Sequence, residues 1–131
     1  VNYWAVHDSG TVINPSTAAG QVHGGVAQGI AAALTEEVLI QDGRVINPNF
    51  LDYRIPGFQD VPTVHVEFVQ THDPYGPFGA KSLGESSLNP SAAAVCNAIY
   101  NAVGVRTDRV PVTPERLWRM MQEARRQGVR P

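Results

Sequence analysis

An α+β fold is what this sequence predicts, on three observations. A capping residue followed by proline recurs at Asn14-Pro15, Asn89-Pro90 and Thr113-Pro114, the order in which helices open. Asp42-Gly43 between short apolar runs is a strong two-residue hairpin signal. Residues 63–70 alternate, with Val64, Val66 and Phe68 on one face and His65 and Glu67 on the other, as a half-buried strand does.

The elements follow in order. Residues 1–8 read as a strand that ends at the turn signal Asp8-Ser9-Gly10, where Asp8 caps the turn. Asn14-Pro15 opens a helix that runs to about Glu37. Residues 38–41 and 44–46 flank the hairpin turn. Residues 47–62 hold three prolines and read as irregular. The strand over 63–70 leads into a glycine-bearing loop. An alanine-rich helix follows, with Asn89 as its cap, Pro90 as its first residue and Gly104 as its C-terminal stop. Thr113-Pro114 starts a last helix, whose Leu117, Met120, Met121 and Ala124 share a stripe. The whole of residues 1–131 is expected to form a single domain, a mixed sheet with a hairpin and about three helices.

Composition narrows the function classes. A hydrophobic fraction of 43% can fill a core, and a net charge of -2 gives no basic field for nucleic acid. Arg116, Arg119, Arg125, Arg126 and Arg130 make the end locally basic, which reads as a solvated helix face. The single cysteine, Cys96, excludes a disulfide within the chain and a cysteine-based zinc site, and its place among alanines reads as core. His7, His23, His65 and His72 lack metal-ligand spacing and read as structural or surface residues. No apolar run reaches the roughly 20 residues of a membrane span, so no membrane partner is expected and a cytoplasmic location is favoured. The chain opens as a strand without an initiator methionine, and it is expected to be a piece of something longer.

Two features point to chemistry. On the first helix, Ala19, Val22, Val26, Ile30 and Ala33 fall on one side, and Gln21, Gly24, Gly25 and Gln28 on the other. Each helical glycine costs about 1 kcal/mol against alanine, so Gly20, Gly24, Gly25 and Gly29 need a compensating contact. Either another backbone packs closely there, or a flat polar ligand does, held by glutamine amides that donate and accept together. The second feature is the loop over residues 73–87, with Gly76, Gly79 and Gly84 around Lys81 and Glu85. Glu85 lies just before a helix, whose N-terminus attracts a carboxylate, whereas apolar burial would oppose its charge. Such a group can act as a general base, or merely partner the helix end. Lys81 has three readings open to it: a pair with Glu85, a phosphate contact, or a surface position.

Four motifs then stand in order: DSGTVINPSTAAGQVHGGVAQGI at 8–30, NPNFLDYRIP at 47–56, GPFGAKSLGES at 76–86 and AAAVCNAIYNAVG at 92–104. Together they resemble the C-terminal part of the molybdenum cofactor-binding subunit of the xanthine dehydrogenase and aldehyde oxidase family, from about Asp8 to Arg116. The resemblance implies a molybdenum hydroxylase that oxidises an electron-poor carbon of an aromatic heterocycle or aldehyde, with water as oxygen source. It implies that Gln21, in the family's GQ motif with Gly20, contacts the pterin of the molybdenum cofactor. It implies that Glu85, closing the K-x-x-G-E motif, is the catalytic base. Lys81 and the backbone at Gly84 would help shape the cofactor pocket. Electrons would leave through 2Fe-2S clusters, usually to FAD, in other domains or subunits. The partners implied are the rest of the subunit, the iron–sulfur and FAD subunits and a small-molecule substrate. The isolated chain is expected to be inactive and to associate into oligomers through apolar surface. The alternative is a non-catalytic binding or assembly module derived from this domain; the amide and the acid at both matched positions favour the enzyme part.

Overall fold

The computed structural model describes residues 1–128; Arg130 lies outside them. The order is β1 (Asn2–Asp8), α1 (Pro15–Leu34), β2 (Ile40–Gln41), β3 (Arg44–Val45), β4 (Thr63–Val69), a 3-10 turn (Pro77–Gly79), α2 (Leu88–Val103) and α3 (Pro114–Arg126). The α+β class holds. β1 and β4 pair in parallel, Asn2 opposite Thr63 through Asp8 opposite Val69. β2 and β3 form a separate antiparallel hairpin.

The core lies between the parallel pair and α1. Ala5, Val22, Val26 and Ile30 are buried together, with Tyr3, Val64, Val66 and Phe68 packed around them. The strand alternation explains which residues go in, since Val64, Val66 and Phe68 are the inward set of β4. The outward set leaves Trp4 and Val6 exposed, with the Trp4 ring stacked on His65 at 5.0 Å between centroids.

The glycine side of α1 divides in two. Gly25 and Gly29 are buried against α2, where an added Cβ would collide with Ser87 at the first and with Ser91 at the second. Close helix contact therefore offsets these two glycines. Gly20 and Gly24 face open space. Ser91 donates to the Ser87 carbonyl at 2.6 Å and so accepts from the Tyr3 hydroxyl at 3.0 Å, tying α2 to β1. This split sets up opposite effects at adjacent positions. Gly25→Ala is expected to destabilise the fold by about 1–3 kcal/mol through overpacking. Gly24→Ala is expected to stabilise it by up to about 1 kcal/mol through helix propensity. Thermal melts of the two variants check both signs.

Some expected boundaries move. α1 stops at Leu34 rather than near Glu37, with Thr35 as its C-cap. α2 begins at Leu88, with Ser87 at the N-cap position but making no side-chain cap, rather than at the expected Asn89 cap. The Leu88 amide already reaches the Glu85 carbonyl at 3.0 Å, so the turn runs on into the helix. Pro90 is harmless two residues further in, because the first N–H groups of a helix have no partner within it. Gly104 stops α2 in the left-handed region, φ 68°. Thr113 caps α3 through the Arg116 amide, as its sequence predicts. The stripe on α3 is only half-buried, and Cys96 is half-buried rather than core. α3 is held instead by polar contacts, chiefly Arg116 to both carboxylate oxygens of Glu37 at 2.7 and 2.9 Å. That pair holds the Glu37 carboxyl below its usual range.

Candidate functional site

The site grows from the end of β1. Gly10, at φ 63°, turns the chain back so that its amide reaches Asp8 Oδ1 at 3.0 Å. The glycine loop then folds across this turn. The Thr11 amide donates to the Gly79 carbonyl and the Lys81 amide to the Ser9 carbonyl, both at 2.8 Å. Gly76 and Gly79 are required in this loop, since a Cβ would strike the Ala80 carbonyl at Gly76 and the His72 ring at Gly79. Phe78 between them sits at φ 55° and is exposed, a strained placement for a bulky residue that only a firmly held loop sustains.

Lys81 has a partner, and it is neither Glu85 nor a free anion. Its Nζ lies 2.7 Å from Asp8 Oδ2. Asp8 Oδ1 also accepts from the Thr71 hydroxyl. Lys81 foremost, then Thr71 and the Gly10 amide, pull the Asp8 carboxyl down to about 2. A carboxyl lowered in the folded state stabilises the fold above its unfolded value near 3.8 and loses that contribution as the pH falls towards 2. An NMR titration is therefore expected to show the Asp8 carboxyl still ionised at pH 3, with the loop amides losing protection only below that.

Between this loop and α1 lies a cleft of about 320 Å³. Ser9, Thr11, Asn14, Thr17, Gln21 and Lys81 give it polar walls, and Leu83 is among its apolar lining. The N-terminus of α1 opens into it. Asn14 Oδ1 accepts from the Thr17 amide at 3.2 Å, and the first turn holds no acidic residue. That end of the helix attracts negative charge. Ser9 is 3% exposed, and its hydroxyl has no hydrogen-bond partner among the described residues. A buried hydroxyl without a partner costs about 1–3 kcal/mol.

The expected site residues take different places. Gln21 and Lys81 share the cleft. Gly20 and Gly84 are exposed, with no atom within 4 Å of where a Cβ would stand. Glu85 is exposed and is not part of the cleft lining. The apolar burial considered for it is therefore not present in this chain. Its loop nevertheless meets Gln21, because the buried Ser87, two residues on, donates to the Gln21 carbonyl at 3.5 Å. Sequence reasoning saw Asp8 only as a turn cap and gave Ser9 no role of its own. The Asp8–Lys81 pair joins residues 73 apart, and no local pattern signals it. His23 and His65 serve as structural contacts, His23 Nε2 donating to the Val64 carbonyl at 3.2 Å. No three His, Cys, Asp or Glu side chains gather to hold a metal ion among the described residues.

Known proteins show the family of the chain. The molybdopterin cofactor-binding domain family matches residues 1–62. The xanthine dehydrogenase molybdenum-binding subunit of Escherichia coli O157:H7 is 48% identical over 115 residues, covering 86% of this chain and 15% of that protein. Subunit gamma of the 6-hydroxypseudooxynicotine dehydrogenase complex of Paenarthrobacter nicotinovorans is 44% identical, covering 88% of this chain and 15% of that one. Among solved structures, quinoline 2-oxidoreductase from Pseudomonas putida 86 superposes with a TM-score of 0.86 at 39% identity, over 98% of this chain and 16% of that one. Carbon monoxide dehydrogenase from Oligotropha carboxidovorans does so with a TM-score of 0.84 at 30% identity, over 95% and 16%. The chain thus spans about 15% of the length of these curated relatives. It belongs, as a segment, to the molybdenum-binding subunits of the xanthine dehydrogenase and aldehyde oxidoreductase family.

Proposed function

We propose that this segment forms one wall of the molybdenum cofactor site of a hydroxylase acting on an electron-poor carbon of an aromatic heterocycle or aldehyde. The observation that carries this reading is the cleft lined by Gln21, Lys81 and Ser9, beside the loop that bears Glu85. The residues fit the group. A pterin offers donors and acceptors in one plane, which an amide answers, and its phosphate suits an uncrowded helix N-terminus.

When bound, the molybdenum cofactor supplies the acceptor for the two electrons of the oxidation. Gln21 holds the pterin edge by donating and accepting. Gly20 and Gly84 leave room for its approach. Lys81, already neutralised by Asp8, shapes the wall by position rather than by free charge. Glu85 takes the proton from the water-derived oxygen that is delivered to the substrate. The N-terminus of α2 begins three residues beyond Glu85 and attracts its carboxylate. The rest of the subunit completes the site and holds the substrate. The 2Fe-2S clusters and FAD reside in partner domains or subunits of a soluble, cytoplasmic assembly. No helix among the described residues is long and apolar enough to cross a membrane. Large apolar side chains left exposed, among them Trp4, Phe50, Leu51 and Phe58, offer surface through which the segment joins that assembly.

The test compares the complete subunit, assembled with its redox partners, with this segment alone. Hydroxylation of an aromatic heterocycle or aldehyde is expected from the first and none from the second. Turnover by the segment alone would refute the reading.

A further inference from the structure

We infer that Asp8 is a positioning residue for the loop that bears Glu85, acting through Lys81 as a latch. This rests on the reading of Glu85 as the base. Three chain segments converge on one carboxylate. Asp8 stands at the end of β1, Thr71 follows β4, and Lys81 opens the final stretch of the glycine loop. Asp8 Oδ2 holds Lys81 Nζ at 2.7 Å, and Oδ1 accepts from Thr71 and from the Gly10 amide. The backbone reinforces the same junction, with Gly10 bridged to Ala80 and the Lys81 amide on the Ser9 carbonyl.

The other end of the stretch is fixed as well. Ser87 is buried against Gly25 of α1 and donates to the Gln21 carbonyl. Residues 82–86, with Gly84 and Glu85 among them, therefore span a short gap between two anchors. The far anchor is packed into the interior. The near anchor is half-exposed, with Lys81 at 37% and Asp8 at 41% side-chain exposure, and its side-chain bond joins two residues outside any helix. The near anchor is therefore the point at which one substitution removes a tie on the loop without removing core packing. Asp8 is not itself among the residues that line the cleft, and its side-chain bonds go to Gly10, Thr71 and Lys81. Its effect on turnover passes through the placement of Lys81 and of the residues after it.

The test uses the complete, cofactor-loaded subunit carrying Asp8→Asn, Lys81→Met or both, with Asp8→Glu as the conservative variant. Hydrogen exchange at the Lys81 amide, kcat, KM and molybdenum content are measured together. Asp8→Asn is expected to speed exchange of the Lys81 amide by about tenfold and to lower kcat by about tenfold, with KM and molybdenum content within about twofold of wild type. Lys81→Met should speed exchange at the same amide and lower kcat alike, and the double variant should be no worse in either than the more impaired single one. Asp8→Glu should restore most of kcat, which loss of folding would not allow. Unchanged exchange, unchanged kcat despite faster exchange, or fully additive single effects would each overturn the latch. Glu85→Gln is run beside them. If it retains wild-type turnover, the reading of Glu85 fails, while the exchange rates still decide whether Asp8 holds the loop.

Discussion

Glu85→Gln in the complete subunit is expected to lower kcat by about 10²–10⁴-fold, the usual contribution of a positioned general base. The effect should fall on chemistry and not on folding. Glu85 is exposed, and what ties it to the fold is its backbone carbonyl, bonded to the Leu88 amide. Glutamine keeps the size and shape of the side chain and removes the ability to take a proton. An exposed substitution of this kind changes stability by no more than about 0.5 kcal/mol. Molybdenum and pterin content should therefore match wild type, and thermal melting should be unmoved. Turnover is measured against those two controls. Loss of cofactor together with activity would instead mark Glu85 as a binding residue.

Gly10→Ala is expected to destabilise the fold by about 3 kcal/mol, with a fall in Tm of about 10 °C for a domain of this size. Two effects add. At φ 63° a residue with a Cβ carries strain of about 1–2 kcal/mol. That Cβ would also be driven into the Gly79 carbonyl, with the Lys81 amide nitrogen only 3.0 Å away. Both obstacles are backbone, so neither can turn aside. Gly43 supplies the control. It has φ 75° in the hairpin turn, with open space where a Cβ would go. Gly43→Ala should show the strain alone, about 1–2 kcal/mol. The difference between the two variants measures how tightly the glycine loop is pressed onto the end of β1.

The local fold was legible in the residues. Asn14-Pro15 and Thr113-Pro114 start helices where their order says they should. Gly104 stops α2 and Asp42-Gly43 turns the hairpin, because each position demands a backbone conformation those residues adopt at little cost. The α2 start was misplaced by a strong Asn-Pro signal. Ser87 had a competing use, packing against Gly25, and tertiary contact decided the boundary. The glycine side of α1 was ambiguous from spacing alone, since packing and ligand approach demand the same absence of a side chain. Only the positions of Ser87 and Ser91 divide it. The candidate site was half legible. Gln21 and Lys81 do share a cleft, but the partner of Lys81 lies 73 residues away, and the pairing of β1 with β4 that brings it close is itself non-local.

The most direct measurement is a crystal structure of the complete subunit with its cofactor bound. The Gln21 amide is expected within hydrogen-bonding distance of the cofactor, and the Glu85 carboxylate turned towards the metal beside the substrate. A cofactor seated elsewhere, with the cleft between α1 and the glycine loop filled by solvent or by another stretch of protein, would contradict it.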